Sequence, residues 1–210
     1  NIQLCYWPPF PANRISSGES LINNLWKYRQ NLIKNVRPED WQDDSAVVPL
    51  NTGIDMEQWW NVDNRPSSTT LGNLVWTLHN VWLHYRYTMD KDLLRYKLYP
   101  LLKRSVNWMM HHLEERGGAL HLPPSKSPEY GMAPDCNYDL ALLRWGCETL
   151  LKSAECLQID DPLLPEWNKV LENLTDFPVD ANGFMVGAGV PFDKPHRHYS
   201  HLLMFYPLYL

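Results

Sequence analysis

Apolar residues recur at intervals of three and four in successive blocks of this 210-residue chain, and prolines and glycines separate the blocks. That spacing puts apolar side chains on one face of a helix, whereas the strict alternation of a half-buried strand is scarce here. The pattern predicts a first helix from Ser17, acting as N-cap, through Leu21, Leu25, Tyr28, Leu32 and Val36, stopped by Pro38. A second covers about 69–88, with Leu71, Val75, Leu78, Trp82 and Tyr85 on one face. A third follows the cap Asp90, is kinked or split at Pro100, and ends at Gly117 and Gly118. A fourth, about 138–157, repeats Leu142, Trp145, Leu150 and Ala154, and a fifth, 162–174, has Pro162 in its first turn. Residues 198–210 read as the apolar start of another helix.

Three long connections lie between these helices. Residues 39–68 are polar and carry Trp41, Trp59 and Trp60; long loops of this kind in a compact domain are often functional. Residues 117–135 hold Pro123, Pro124, Pro128 and Pro134 and cannot sustain a helix. Residues 176–195 form a loop with a short hairpin near Asn182 and Gly183. Short and long connections in alternation predict an all-α chain of antiparallel helical hairpins, in one domain spanning 1–210, without a short-period repeat.

Composition removes several classes of function. A formal charge of −5 leaves no excess of Lys and Arg to displace counterions from phosphates, so nucleic acid is not an expected partner. No apolar run is long enough to cross a bilayer. Cys5, Cys136, Cys147 and Cys156 have neither zinc-site spacing nor the density of a disulfide scaffold, and Cys147 and Cys156 read as buried thiols of one helix. Nucleophile elbows, phosphate-binding glycine loops and deaminase signatures are absent, and no cofactor is expected. The first residues carry no signal-peptide pattern, so the terminus does not reveal the compartment. Ten Trp and eleven Tyr exceed what a core requires. An aromatic face stacks well on the C–H face of a sugar ring, although any single Trp is as readily accounted for by helix packing.

Four clusters could carry chemistry. Glu129 follows Pro128 in a stiff loop, with Ser125 and Ser127 close enough to bond the backbone or each other. A carboxyl held there among aromatics could act as a general acid, and the plain alternative is a solvated loop glutamate. His196, Arg197, His198 and His201 form the second cluster. His198 and His201 would share a face if a helix had begun, but Arg197 would repel a cation and no third ligand is near, so no metal is expected. An Arg between His residues suits hydroxyl and anion contacts better. The third cluster is the amide- and aromatic-rich segment 1–13, and the fourth is 76–90, where Trp76, His79 and His84 also fit simple helix packing.

In this order the clusters resemble the family 95 glycoside hydrolases, inverting α-L-fucosidases and α-L-galactosidases built on an (α/α)6 barrel. NIQLCYWP resembles the latter part of the family's Asn-x-Asn-x-x-Met-Asn-Tyr-Trp-Pro segment, and WTLHNVWLHYRYTMDKDLLR and YPLLKRSVNWMMHHL resemble two of its helices. PPSKSPE matches its Ser-Pro-Ser-x-Ser-Pro-Glu loop, with a proline for the first serine, and HRHYSHL matches its His-Arg-His-x-Ser-His-Leu. The resemblance implies part of an (α/α)6 barrel of the six-hairpin glycosidase type, acting on an oligosaccharide or glycan without cofactor. It implies Glu129 as general acid and Asn1 as an orienter of the water-activating carboxylate. Arg197, His198, Trp76 and His201 are implied as sugar-binding residues, and a polysaccharide-degrading role implies a secreted or periplasmic location. In the family the base is the Asp of a Phe-x-x-Asp-Gly-Asn-Phe-Gly segment beyond the histidines. None of Asp176, Asp180 and Asp193 has that motif around it, so the chain is expected to be a fragment. Two other readings remain: a non-catalytic carbohydrate-binding domain of the same fold, and a helical module binding a protein through its Trp-rich loops. The last would scatter Glu129, Arg197 and His198, whereas an enzyme gathers them.

Overall fold

The computed structural model describes residues 2–58 and 70–210. They fall into two compact units, one drawn from 1–67 and 73–108 and the other from 68–72 and 109–210. Helices dominate, as the periodicity requires, and among the described residues none is long and apolar enough to cross a membrane.

The first unit contains α1 (Ile2–Cys5), α2 (Glu19–Lys27), α3 (Arg29–Lys34), α4 (Asn73–Thr88), α5 (Lys91–Leu93) and most of α6 (Tyr99–Met110). The single helix expected after Ser17 is two, because Tyr28 leaves helical geometry at φ −103° and ψ 19°. At the break, the Arg29 guanidinium donates to the Trp26 carbonyl at 2.7 Å and lies over the Trp26 ring. Ser17 is not the cap; it lies in a 3-10 turn, and Gly18 precedes the helix. The apolar face nevertheless continues through buried Leu21, Ile22, Leu25 and Leu32. Asn24, Asn31 and Asn35 donate side-chain amides to the carbonyls of Ile54, Asp55 and Met56 at 2.9, 2.9 and 2.8 Å, which orders part of the expected loop. Trp59 and Trp60 lie outside the described residues.

Asp90 caps as expected, its Oδ1 accepting from the amides of Asp92 and Leu93 at 2.9 and 3.0 Å. The helix expected after Asp90 is divided just before Pro100, into α5 and α6. A π-helical segment, Leu94–Leu98, precedes the proline, and such a widened turn accommodates a ring that would otherwise meet the carbonyl four residues back. Arg104 then donates to the carbonyls of Gln42, Asp43 and Ser45, which pins the chain after Pro38.

The second unit holds the hairpins β1 (Glu114–Arg116) with β2 (Ala119–His121), β3 (Ser125–Ser127) with β4 (Gly131–Ala133), and β5 (Val179–Asp180) with β6 (Gly183–Phe184). Its helices are α7 (Asn137–Leu157) and α8 (Leu164–Asn173), which pack on each other around fully buried Trp167. Gly117 and Gly118 do not end a helix. With φ of 60° and 86° they make the tight turn between β1 and β2, and α6 has already stopped at Met110. The proline in the first turn of the last helix is Pro165 and not Pro162. The hairpin expected near Asn182 is present, with the Asn182 amide donating to Asp180 Oδ1 at 2.7 Å. Residues 198–210 are not an α-helix; they contain one 3-10 turn, Ser200–Leu202, followed by further turns. Towards the end of this stretch Pro207 has no N–H to give the Leu203 carbonyl, and the Leu208 amide bonds there instead at 3.2 Å.

Candidate active site

The loop from 117 to 135 folds as the turn and second strand of one hairpin and the whole of the next. Ser127 pairs with Gly131, so residues 128–130 form the tip of the β3–β4 hairpin, and the Tyr130 amide donates to the Ser127 carbonyl at 2.9 Å. Side chains alternate along a strand, so Ser125 and Ser127 both point inward and are fully buried, with Lys126 between them. They do not bond each other. Ser125 Oγ donates to Asp139 Oδ2, and Ser127 Oγ lies 2.7 Å from Ser200 Oγ.

Asp139 sits in the first turn of α7 and is fully buried, with the Gly72 amide donating to its Oδ1 at 2.8 Å. Burial pushes its carboxyl up to about 7, against the two hydrogen bonds that favour the ionised form. The base of the hairpin is held by the neighbouring thiol as well: Cys136 Sγ lies 3.3 Å from the carbonyls of Ser125 and Ala133. Burial first, and the Asp139 charge second, push that thiol up to about 12, so it keeps its proton and can donate.

At the tip, Glu129 is half exposed, and the second cluster comes to it. The Arg197 guanidinium donates through Nη2 to Glu129 Oε2, and His198 Nε2 approaches the same oxygen at 3.6 Å. Arg197 Nε also donates to His198 Nε2 at 3.1 Å, which makes that nitrogen an acceptor and puts the proton of neutral His198 on Nδ1. His198 therefore accompanies Glu129 without donating to it. Both groups approach Oε2.

Tyr130 braces the other side of the turn. Its hydroxyl donates to Asp193 Oδ1 at 2.8 Å and accepts from the amides of Asp193 and Lys194 at 3.2 Å, while its ring packs on Phe192 and edge-on to His196. His196 Nδ1 accepts from the His198 amide at 3.1 Å, tightening the His-Arg-His segment. His201 is buried and stacks on Phe192 with ring centres 4.2 Å apart, and burial lowers its pKa.

The second unit thus gathers Glu129, Arg197 and His198, with His201 packed behind them. Trp76 is a buried residue of α4 in the first unit, and Asn1 lies outside the described residues. With no helix at 198–210, His198 and His201 do not share a helical face. Among the described residues no three His, Cys, Asp or Glu side chains are grouped to hold a metal. The sequence reading passed over Asp139, Tyr130 and Ser200, and it weighed Asp193 only as a base, not as the partner of Tyr130. Ser200 lies inside the HRHYSH segment, and Asp139 is the one acid in the first turn of its helix, so both left a faint trace.

The chain matches the Glycosyl hydrolase family 95 catalytic domain over residues 1–210, and it belongs to that family. Among known proteins it is similar to Alpha-L-fucosidase 2 of Arabidopsis thaliana, with 29% identity over 233 residues covering 99% of this chain. It spans 26% of that relative's length. The mainly helical fold accords with the (α/α)6 barrel that the family resemblance implies.

Proposed function

We propose that the chain supplies the proton-donating side of an exo-acting glycosidase site that hydrolyses a terminal α-L-fucosyl or related residue with inversion. Glu129 is the general acid: its carboxyl proton passes to the glycosidic oxygen as the bond to the anomeric carbon breaks, and water attacks that carbon from the opposite face. Arg197 and His198 bind sugar hydroxyls beside it. The observation that carries this reading is the convergence of Arg197 and His198 on one oxygen of a carboxylate held at a braced hairpin tip. The Glu129–Arg197 pair is open to solvent, with the side chains 49% and 71% exposed, so it contributes only about 0–1 kcal/mol and a sugar can displace it cheaply. The water-activating base is assigned to none of the described residues. The fucosidase name of the relative supports the choice of sugar.

The test is Glu129→Gln in the complete natural protein. Turnover of an alkyl α-L-fucoside, whose leaving group needs protonation, should fall about 10²- to 10⁴-fold, while a fucosyl fluoride should be affected far less. NMR of the first-formed sugar should show the inverted anomer. Unchanged turnover of the alkyl fucoside removes Glu129 from the mechanism.

A further inference from the structure

We infer that Ser200 is a positioning residue that ties the turn carrying Glu129 to the segment carrying Arg197 and His198, through a one-way relay of hydroxyl hydrogen bonds. Ser200 Oγ lies 2.8 Å from the Pro128 carbonyl oxygen and 2.7 Å from Ser127 Oγ. A hydroxyl has one proton and a carbonyl has none to give. Ser200 therefore donates to Pro128, and Ser127 must donate to Ser200. Both side chains are buried, at 0% and 7% exposure for Ser127 and Ser200, so water is a poor substitute for either partner.

The relay acts at a sensitive place. The Pro128 carbonyl belongs to the peptide that enters Glu129, and Ser200 is three residues past Arg197 and two past His198, at the start of the 3-10 turn Ser200–Leu202. One side chain thus fixes the backbone on both sides of the Glu129 carboxylate. The exposed Arg197–Glu129 contact is too weak to do this. Asp139, by contrast, holds the hairpin two residues further back, at Ser125.

The inference rests on Glu129 being the general acid, and the experiment separates the two. In the complete natural protein, Ser200→Ala, Ser200→Thr, Ser127→Ala and Glu129→Gln are compared on an alkyl α-L-fucoside and on the corresponding fluoride. Displacing the acid by a fraction of an ångström should lower kcat on the alkyl fucoside about 10- to 100-fold in Ser200→Ala. The fluoride, which needs little protonation, should lose less than about threefold. Ser200→Thr keeps the hydroxyl and should recover most of the loss. If Ser200→Ala does not fold, Ser127→Ala, which removes only the first bond of the relay, should show the same leaving-group dependence at smaller size. Equal losses on the two substrates, or no loss, overturn the positioning role while Glu129→Gln still discriminates between them. If Glu129→Gln also fails to discriminate, the acid assignment falls and the relay's role with it.

Discussion

Two hairpins of three residue pairs follow one another in the second unit, and they are held in opposite ways. β1–β2 exposes every residue of its first strand and turns at Gly117-Gly118, and its hold from a distant segment is backbone to backbone, the Thr175 amide donating to the Leu120 carbonyl at 2.9 Å. β3–β4 buries Ser125 and Ser127 and is fixed from outside, by Asp139 at its base and Ser200 at its tip. The two share a neck, where Asp135 accepts from the Leu122 amide at 2.8 Å and lies 2.9 Å from His121 Nδ1. The turn that carries Glu129 is clamped by side chains distant in sequence, and those clamps are buried and polar, where each missing partner is costly.

The largest effect that could break this contrast concerns Asp139. Its carboxyl has an ordinary value of 3.8 and stands at about 7 in the fold, chiefly through burial. Between those pH values the folded state holds a proton that the unfolded chain has released, so stability falls as pH rises and this contribution is gone above 7. His112 works the other way, lowered from 6.5 to about 4 by burial and then by His111, so between pH 4 and 6.5 it makes stability rise with pH. The two slopes oppose one another over that window. Asp139→Asn removes the falling arm, so the variant's stability relative to the parent should improve with pH, by on the order of 4 kcal/mol between pH 4 and 8. Urea unfolding at a series of pH values checks this, and a difference that does not vary with pH would refute it.

Next in size are two changes at the base of β3–β4. A Cβ at Gly187 would meet the Pro134 carbonyl oxygen and Ala133 Cβ at 2.6 Å, and backbone cannot rotate aside. Gly187→Ala should cost about 3 kcal/mol, the upper end for overpacking. Ser125→Ala strips a donor from a fully buried carboxyl and should cost about 1–3 kcal/mol. Lys126→Ala, between the two inward serines, should stay within about 0.5 kcal/mol. Shifts in the urea midpoint at constant slope read all three. If Lys126 proves as costly as Ser125, the inward and outward faces of β3 have been misassigned.

How much of this was legible beforehand follows the same division. Helical periodicity located α4, α7 and the Asp90 cap, because apolar spacing and capping are local properties of the chain. It missed the break at Tyr28, where the Arg29 side chain competes for a backbone carbonyl, and it expected an interruption at Pro100 without its π form. Gly117-Gly118 was read as a helix end because the same positive φ serves a helix C-terminus and a hairpin turn. Glu129, Arg197 and His198 were marked by family resemblance, and their meeting in space depends on contacts spanning 68 residues. Nothing in the spacing of Ser125 and Ser127 shows that one bonds Asp139 and the other Ser200. Strand alternation predicts a shared face, but not who stands opposite it.

The smallest effects belong to the β1–β2 turn, and they sharpen the contrast because nothing packs on the turn residues themselves. At both Gly117 and Gly118 a Cβ would stand in open space, so backbone conformation is the only constraint. With φ of 60° and 86°, the pair has the sign required of the two central residues of a type I′ turn, for which Asn-Gly is a favoured sequence. Gly118→Ala should therefore destabilise by about 1 kcal/mol through left-handed strain. Gly117→Asn should be neutral or stabilise by up to about 0.5 kcal/mol, because Asn tolerates the conformation and the unfolded chain has less freedom to lose. Thermal unfolding of the two variants should move in opposite directions, or one should stay still while the other falls. Equal destabilisation by both would mean that the turn is not of the type I′ kind its φ angles indicate.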